Sequence, residues 1–110
     1  MKAKFDVEFL EEALEFIEGL NNKTRLKIIY NIDKSRLVSD PKLFKKLDDE
    51  IWEFRTKFSG KQYRLLAFWV KRKGKTSLVF ATHGFVKKVS KVPKSEIKKA
   101  QDIRKKYLEL

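Results

Sequence analysis

Residues 63–70 read YRLLAFWV, and this stretch decides the fold because it is apolar on both faces apart from Arg64. Such a pattern is typical of a central strand of a sheet. Before it, WEFRTKF at 52–58 alternates between aromatic and charged residues, which predicts a strand with one core face and one charged face. After it, KRKGK at 71–75 predicts a hairpin turn and TSLVFATHGF at 76–85 a further strand. Four aromatic residues of these strands are assigned to the core: Trp52, Phe54, Phe68 and Trp69.

Helical patterns flank these strands. Residues 2–6 form a short strand candidate, and apolar residues from Phe9 to Leu20 recur at helical spacing opposite an acidic face. A second helical pattern runs to about Leu37, so the two form a helical hairpin. Pro41 predicts a short helical turn through about Lys46, and Pro93 opens a last helix. The predicted order is β-α-α-β-β-β-α. This is an α+β fold in which the helical hairpin and the C-terminal helix pack on a small, largely antiparallel sheet.

Length and composition exclude several classes of protein. The 110 residues predict one domain spanning 1–110. With no cysteine and with His83 as its single histidine, the chain has no disulfide scaffold, cysteine nucleophile or zinc finger. We expect no cofactor and no metal, and we interpret the acids at 48–50 (DDE) as a solvated turn rather than a metal site. No apolar run is long enough to cross a membrane and the N-terminus is not a signal or transit peptide, so we expect a cytoplasmic protein.

The positive charge lies in the second half of the chain. Residues 1–60 carry as many acidic as basic residues, whereas residues 61–110 carry 15 lysines or arginines and three acids. The whole surplus of +12 therefore lies there. This asymmetry predicts a polyanionic partner, with nucleic acid favoured over an acidic protein or a solubilising role.

Basic residues on the predicted strands and on the segment after the last strand are the candidate site. They are Arg55, Lys57, Arg64, Lys87 and Lys88, with Tyr63 and His83 nearby in sequence. When the 2′-hydroxyl of an RNA attacks the neighbouring phosphate, cleavage needs a base for that hydroxyl, cations for the developing charge on phosphorus and an acid for the leaving 5′-oxygen. It needs no metal. Composition alone does not separate such catalysis from phosphate binding.

Several of these residues have a second interpretation. Arg64 either binds phosphate or pairs with Glu53 across the sheet. His83 acts as an acid or base, or is hydrogen-bonded in packing. Tyr63 stacks on a base or belongs to the core. We expect one of Lys87 and Lys88 to lie in the site.

Three segments together resemble a known family. They are LDDEIWEFR at 47–55, YRLLAF at 63–68 and THGFVKKVSKVPKSEIKKA at 82–100. They resemble the phage-derived, HigB-like branch of the RelE/HigB toxin superfamily, over about residues 5–105. GFVKK with its spacing to Pro93 and Glu96 is the most specific part of the match.

The resemblance implies a RelE-like fold and the toxin of a type II toxin–antitoxin system. Such a toxin is a metal-independent endoribonuclease, or mRNA interferase, that cleaves mRNA on the ribosome and inhibits translation. Arg55, Arg64 and Lys87 or Lys88 match positions that hold the scissile phosphate in relatives. Glu53 stands where some relatives have lysine, and the tyrosine of the relatives' final helix has no secure match, so the general acid and base stay open.

The resemblance also implies a cognate antitoxin, for which we expect a helix-turn-helix DNA-binding protein. Lys94, Lys98, Lys99 and Lys105 on the last helix are predicted to contact ribosomal RNA or to be covered by an acidic antitoxin segment. Two alternatives stay open at this point. One is a ParE-like toxin that inhibits DNA gyrase without catalysis, and the other is a non-enzymatic RNA- or ribosome-binding module.

Overall fold

The computed structural model describes residues 2–109, which form one five-stranded sheet and three helices. Along the chain these elements are β1 (Phe5–Phe9), α1 (Glu11–Glu18), α2 (Asn22–Leu37), β2 (Phe44–Lys46), β3 (Trp52–Phe58), β4 (Lys61–Val70), β5 (Ser77–Lys87) and α3 (Lys94–Leu108). The α+β class and the three helices predicted from sequence are confirmed.

Strand β4 is the middle strand of the sheet, as its apolar sequence predicts. The strands lie in the order β1-β5-β4-β3-β2. Strands β2 to β5 pair antiparallel, whereas β1 runs parallel to β5. The sheet is therefore mixed. The turn predicted at 71–75 is present, with Gly74 at a φ of 69°.

Strand β2 corrects one prediction, because residues 44–46 were expected to continue a helical turn. Residues 41–43 do form a turn, in which Leu43 and Phe44 donate backbone hydrogen bonds to the carbonyl of Asp40. The chain then pairs with β3, and the ring of Phe44 stacks on Phe54 with centroids 4.3 Å apart. Pairing and aromatic packing with a distant strand override the local helical pattern.

The two faces of the sheet bury different helices, since side chains along each strand alternate between them. The helical hairpin covers one face, which we call the hairpin face, and α3 covers part of the other, the α3 face. Buried on the hairpin face are, among others, Ala13, Ile17, Ile28, Ile32, Phe54, Leu65, Ala67 and Val79. Buried on the α3 face are Ile51, Leu66, Phe68, Leu78, Phe80 and Ala100. Tertiary burial of both faces explains the apolar run in β4.

A glycine inside a strand often marks a bulge, but β5 continues through Gly84 to Lys87. The irregularity lies earlier, where the register shifts between Leu66 and Ala67. Gly84 is required for a different reason. A Cβ atom at this position would lie 2.3 Å from the ring of Phe16 in α1, so only glycine lets that ring rest on the strand.

Gly84→Ala is expected to destabilise the domain by about 1–3 kcal/mol, because the new methyl group overpacks the contact with Phe16. Urea unfolding monitored by circular dichroism measures the change. Gly19→Ala is the matched control, since a Cβ there meets only ordinary contacts at 3.4 Å or more. Equal stability of the two variants would contradict the packing argument.

Candidate functional site

Basic side chains gather on the α3 face at the end of the sheet that α3 leaves uncovered. Cross-strand pairing places Arg55 opposite Arg64 and Lys57 opposite Gln62. With Lys42 from the turn before β2, these residues line an open cavity of about 350 Å³. We call this cavity the cationic recess. Four of its five lining residues are cations, so it is suited to bind an anion.

Arg64 is the buried floor of the recess, with only 3% of its surface exposed. Its Nε lies 2.8 Å from Oε1 of Glu53, which is itself 4% exposed. Nη2 donates to Oε1 of Gln62 at 2.8 Å, and Nη1 donates to the carbonyl of Tyr63 at 3.5 Å. The pairing of Arg64 with Glu53 is thus confirmed, and the guanidinium is held in one orientation beside the cavity.

Burial lowers the pKa of Arg64, and the adjacent carboxylate of Glu53 opposes that shift. An arginine remains charged in proteins, so Arg64 is a fixed cation. Glu53 also lies 3.9 Å from Nε of Arg55 and thereby reduces the repulsion between two arginines on paired strands. Arg55 is only partly buried, and its Nη1 donates to the carbonyl of Pro41 at 3.2 Å.

Glu53→Leu is expected to cost roughly 3–5 kcal/mol of unfolding free energy, because it leaves Arg64 charged, buried and unpaired. The double variant Glu53→Leu with Arg64→Leu is expected to regain most of that loss. Urea unfolding of the unmodified protein, the single variants Glu53→Leu and Arg64→Leu, and the double variant measures the coupling energy between the two side chains. Asp102→Ala, which breaks the exposed pair with Lys98, is the control and is expected to cost less than about 1 kcal/mol. A Glu53→Leu variant as stable as this control would contradict the account.

Lys87 and Lys88 differ in position, as expected for a pair of which one lies in the site. Lys87 pairs with Gln62 at the edge of the cationic recess, and its Nζ is 3.4 Å from the amide oxygen of Gln62. Lys88 follows the end of β5 and is exposed. The structure brings Lys87 to the recess and leaves Lys88 outside it.

His83 is buried beneath the start of α3, with 3% of its surface exposed. Its Nδ1 lies 3.0 Å from Oγ1 of Thr82, and its Nε2 lies 3.1 Å from Oε1 of Glu96. Burial lowers the pKa of His83, while Glu96 acts in the opposite direction. This arrangement matches hydrogen-bonded packing between sheet and helix, and the ring is not presented to the recess.

The lowered pKa of His83 gives a stability that falls as the pH falls. Below its ordinary pKa of 6.5 the unfolded chain binds a proton more readily than the folded one, so unfolding is favoured. We expect the free energy of unfolding to decrease from pH 7 to pH 5, by at most about 1.4 kcal/mol per pH unit for one proton. His83→Gln keeps a polar side chain but does not titrate, and is expected to flatten the profile. An unchanged profile would contradict this assignment.

The aromatic residues divide between the core and a surface cavity. Tyr63 lies on the hairpin face, away from Arg64, and is 6% exposed, so its placement matches the core interpretation and not an RNA contact. Phe54 and Phe68 are buried, as predicted. Trp52 and Trp69 are only partly buried and line an open cavity on the hairpin face, so they lie at the edge of the core, which Trp69 contacts, and not inside it as predicted.

The predicted contact lysines of α3 are all exposed: Lys94, Lys98, Lys99 and Lys105. Two of them are already paired within the chain. Lys99 lies 2.7 Å from Glu12 of α1, and Lys98 lies 3.3 Å from Asp102. The basic face of α3 is therefore partly neutralised by the protein itself, and Lys94 and Lys105 form no ion pair within residues 2–109.

The acidic segment 48–50 forms a turn that is attached to α3. Asp48 accepts backbone hydrogen bonds from Glu50 and Ile51, and its second oxygen accepts from the amide of Gln101 at 2.8 Å. Glu50 pairs with Arg104 at 2.7 Å. Within the described residues no three histidine, cysteine, aspartate or glutamate side chains are grouped to hold a metal. The predicted turn at 48–50 is present, and Asp48 and Glu50 attach it to α3.

Sequence reasoning missed two residues of the recess, Lys42 and Gln62. Gln62 could have been found, because it stands two residues before Arg64 on a predicted strand and so shares its face. Lys42 could not, since its position depends on the turn at 40–43 and on strand β2. The pairing of Glu53 with Arg64 was one of two alternatives from the sequence, and the register of β3 against β4 was needed to establish it.

The comparisons place the chain in a family. A family model described as phage derived protein Gp49-like (DUF891) matches residues 15–105, which include every strand of the recess. No curated protein shows a significant match. Among residues 2–109, no helix combines the length and the apolar character needed to cross a membrane.

Proposed function

Because this chain belongs to the Gp49-like family of phage-derived proteins, which is associated with RelE-like toxins, we propose that it is the toxin of a type II toxin–antitoxin system. We propose further that it inhibits translation by cleaving mRNA bound to the ribosome, without a metal cofactor. The observation that carries the proposal is the cationic recess, in which a buried and immobile arginine lies among three other cations.

The recess fits the charge of a phosphodiester in the act of cleavage. When the 2′-oxygen attacks phosphorus, negative charge grows on the non-bridging oxygens, and cations fixed beforehand stabilise this state more than the resting RNA. Arg64 is fixed by Glu53, Gln62 and the Tyr63 carbonyl before any substrate binds. The reorganisation energy of its guanidinium is therefore small when the charge develops.

Proton transfer is assigned to the partly exposed cations and not to His83. In this reaction the 2′-hydroxyl loses a proton and the leaving 5′-oxygen gains one, so a cyclic phosphate and a 5′-hydroxyl result. Lys57 and Lys87 border the open side of the recess. There an ammonium group can donate a proton to the leaving oxygen, and a water molecule at this open side can accept the proton of the 2′-hydroxyl. The burial of His83 under α3 keeps its ring from an RNA backbone.

The proposed dependence on the ribosome follows from the shape of the site. The recess opens to solvent and is lined by five residues, so it can contact only a short stretch of a flexible RNA strand. A ribosome that holds the mRNA in one orientation would position it in the recess, which the small domain does not do alone. The exposed lysines of α3 are the proposed contacts to ribosomal RNA.

Mapping of 5′ ends on a reporter mRNA, with purified protein and with or without translating ribosomes, tests this proposal. New ends on translated mRNA alone are the expected result. Ends on naked RNA as well would remove the ribosome from the proposal. Absence of cleavage by folded protein that still arrests growth would contradict it and favour a gyrase-type inhibitor.

Arg55→Ala and Lys87→Ala are each expected to lower the cleavage rate by about 10²-fold or more, since each removes a charge beside the scissile phosphate. Both side chains are partly exposed, so the variants are expected to fold, and circular dichroism checks this. Arg64→Ala is a poorer test because it leaves the buried carboxylate of Glu53 without its partner cation, which would also destabilise the fold. Lys71→Ala, an exposed cation outside the recess, is the matched control. Full activity of both test variants would contradict the site.

A further inference from the structure

An aromatic cavity of about 360 Å³ opens on the hairpin face, on the side of the sheet away from the cationic recess. Both tryptophans of the chain, Trp52 and Trp69, line it together with Phe5 and Phe44. These four rings pack on one another with centroids 4.9 to 5.9 Å apart. Val38 at the rim is 45% exposed, and Nε1 of Trp69 has no hydrogen-bond partner among the described residues. The proposed function uses none of these groups.

Strand β2 forms the border of this cavity and is an edge strand of the sheet. The backbone N–H of Arg55 in β3 donates to the carbonyl of Leu43, and the backbone N–H of Leu47 donates to the carbonyl of Ile51, the residue before β3. In an antiparallel ladder alternate residues point their backbone groups toward and away from the partner strand, so Phe44 and Lys46 point away from β3. The carbonyl of Phe44 and both backbone groups of Lys46 therefore face outward, where an added strand would bind them.

The border of the cavity carries a positive charge. Lys4, Lys45 and Lys46 line it together with a single acid, Asp40, whose Oδ1 accepts the backbone N–H of Lys42. Lys45 and Lys46 are exposed and lie on opposite faces of β2. Acidic residues on either face of an added strand would thus meet a lysine.

We propose that this surface binds an extended, acidic segment of a partner protein, which adds a strand to β2 and inserts an apolar side chain into the aromatic cavity. Backbone hydrogen bonds to Phe44 and Lys46 supply the pairing, and the cavity and the lysines supply the specificity. This proposal is independent of RNA cleavage, because the aromatic cavity and the cationic recess share no lining residue.

Other occupants fit this surface less well. A second copy of the chain would set the lysines of one β2 near those of the other, and like charges oppose such pairing. Single-stranded RNA would find the lysines, but the cavity lining is dominated by apolar atoms of rings that are packed on each other. An acidic strand with an apolar residue matches both the charge and the cavity.

Tryptophan fluorescence tests the proposal directly, because both tryptophans line the cavity. The probe is a capped seven-residue peptide in which glutamate alternates with valine around a central phenylalanine. We expect a saturable shift of the emission to shorter wavelength and slower hydrogen exchange at the backbone N–H of Lys46. The same peptide with lysine for glutamate, or with proline in place of the central residues, is expected not to bind.

A charge-reversed variant provides the matched comparison. Lys45→Glu with Lys46→Glu is expected to weaken peptide binding at least about tenfold, since it places like charges across the interface. Lys71→Glu with Lys73→Glu makes the same charge change on the β4–β5 turn and is expected to leave binding unchanged. Absence of binding, equal binding of the lysine peptide, or an emission shift caused by protein concentration or a single-stranded oligonucleotide alone would each overturn the proposal.

Discussion

The ion pair between Arg64 and Glu53 is the interaction on which the rest of the structure depends. Both groups are buried on adjacent strands, and their atoms lie 2.8 Å apart. Removing either one leaves a charge in a poorly hydrated place, at a cost comparable to a large part of the stability of a small domain. The pair therefore constrains the register of β3 against β4 and, at the same time, fixes a cation at the floor of the recess.

Each face of the sheet has a covered and an open part. On the α3 face, the helix buries the middle of β4 and β5 and leaves the recess open, while His83 and Glu96 link the sheet to the start of the helix. On the hairpin face, α1 and α2 bury most of the surface and leave the aromatic cavity beside β2. The excess of positive charge in the second half of the chain is partly offset by acids of the first half, as in the pair of Lys99 with Glu12.

Much of the fold could be predicted from the sequence, because hydrophobic periodicity directly reflects burial. The apolar run of β4, the alternation of β3 and the helical hairpin are all present. Strand β2 could not be predicted, since three residues acquire their conformation from pairing with β3. In the site, residue type and resemblance identified Arg55, Arg64 and the pair Lys87 and Lys88, whereas the choice of Lys87 depends on the pairing of β5 with β4. The burial of His83 and Tyr63 depends on which face each side chain occupies, and short-range patterns near a register shift do not determine that.

Chemical analysis of the ends of mRNA incubated with the protein and translating ribosomes tests the central claim most directly, namely our proposal that the protein cleaves RNA by means of fixed cations and the RNA's own 2′-hydroxyl. The account predicts a 5′-hydroxyl on one fragment and a 2′,3′-cyclic phosphate, or the 3′-phosphate formed when it opens, on the other. A 5′-phosphate with a 3′-hydroxyl would mean that water attacked phosphorus, and would contradict the account.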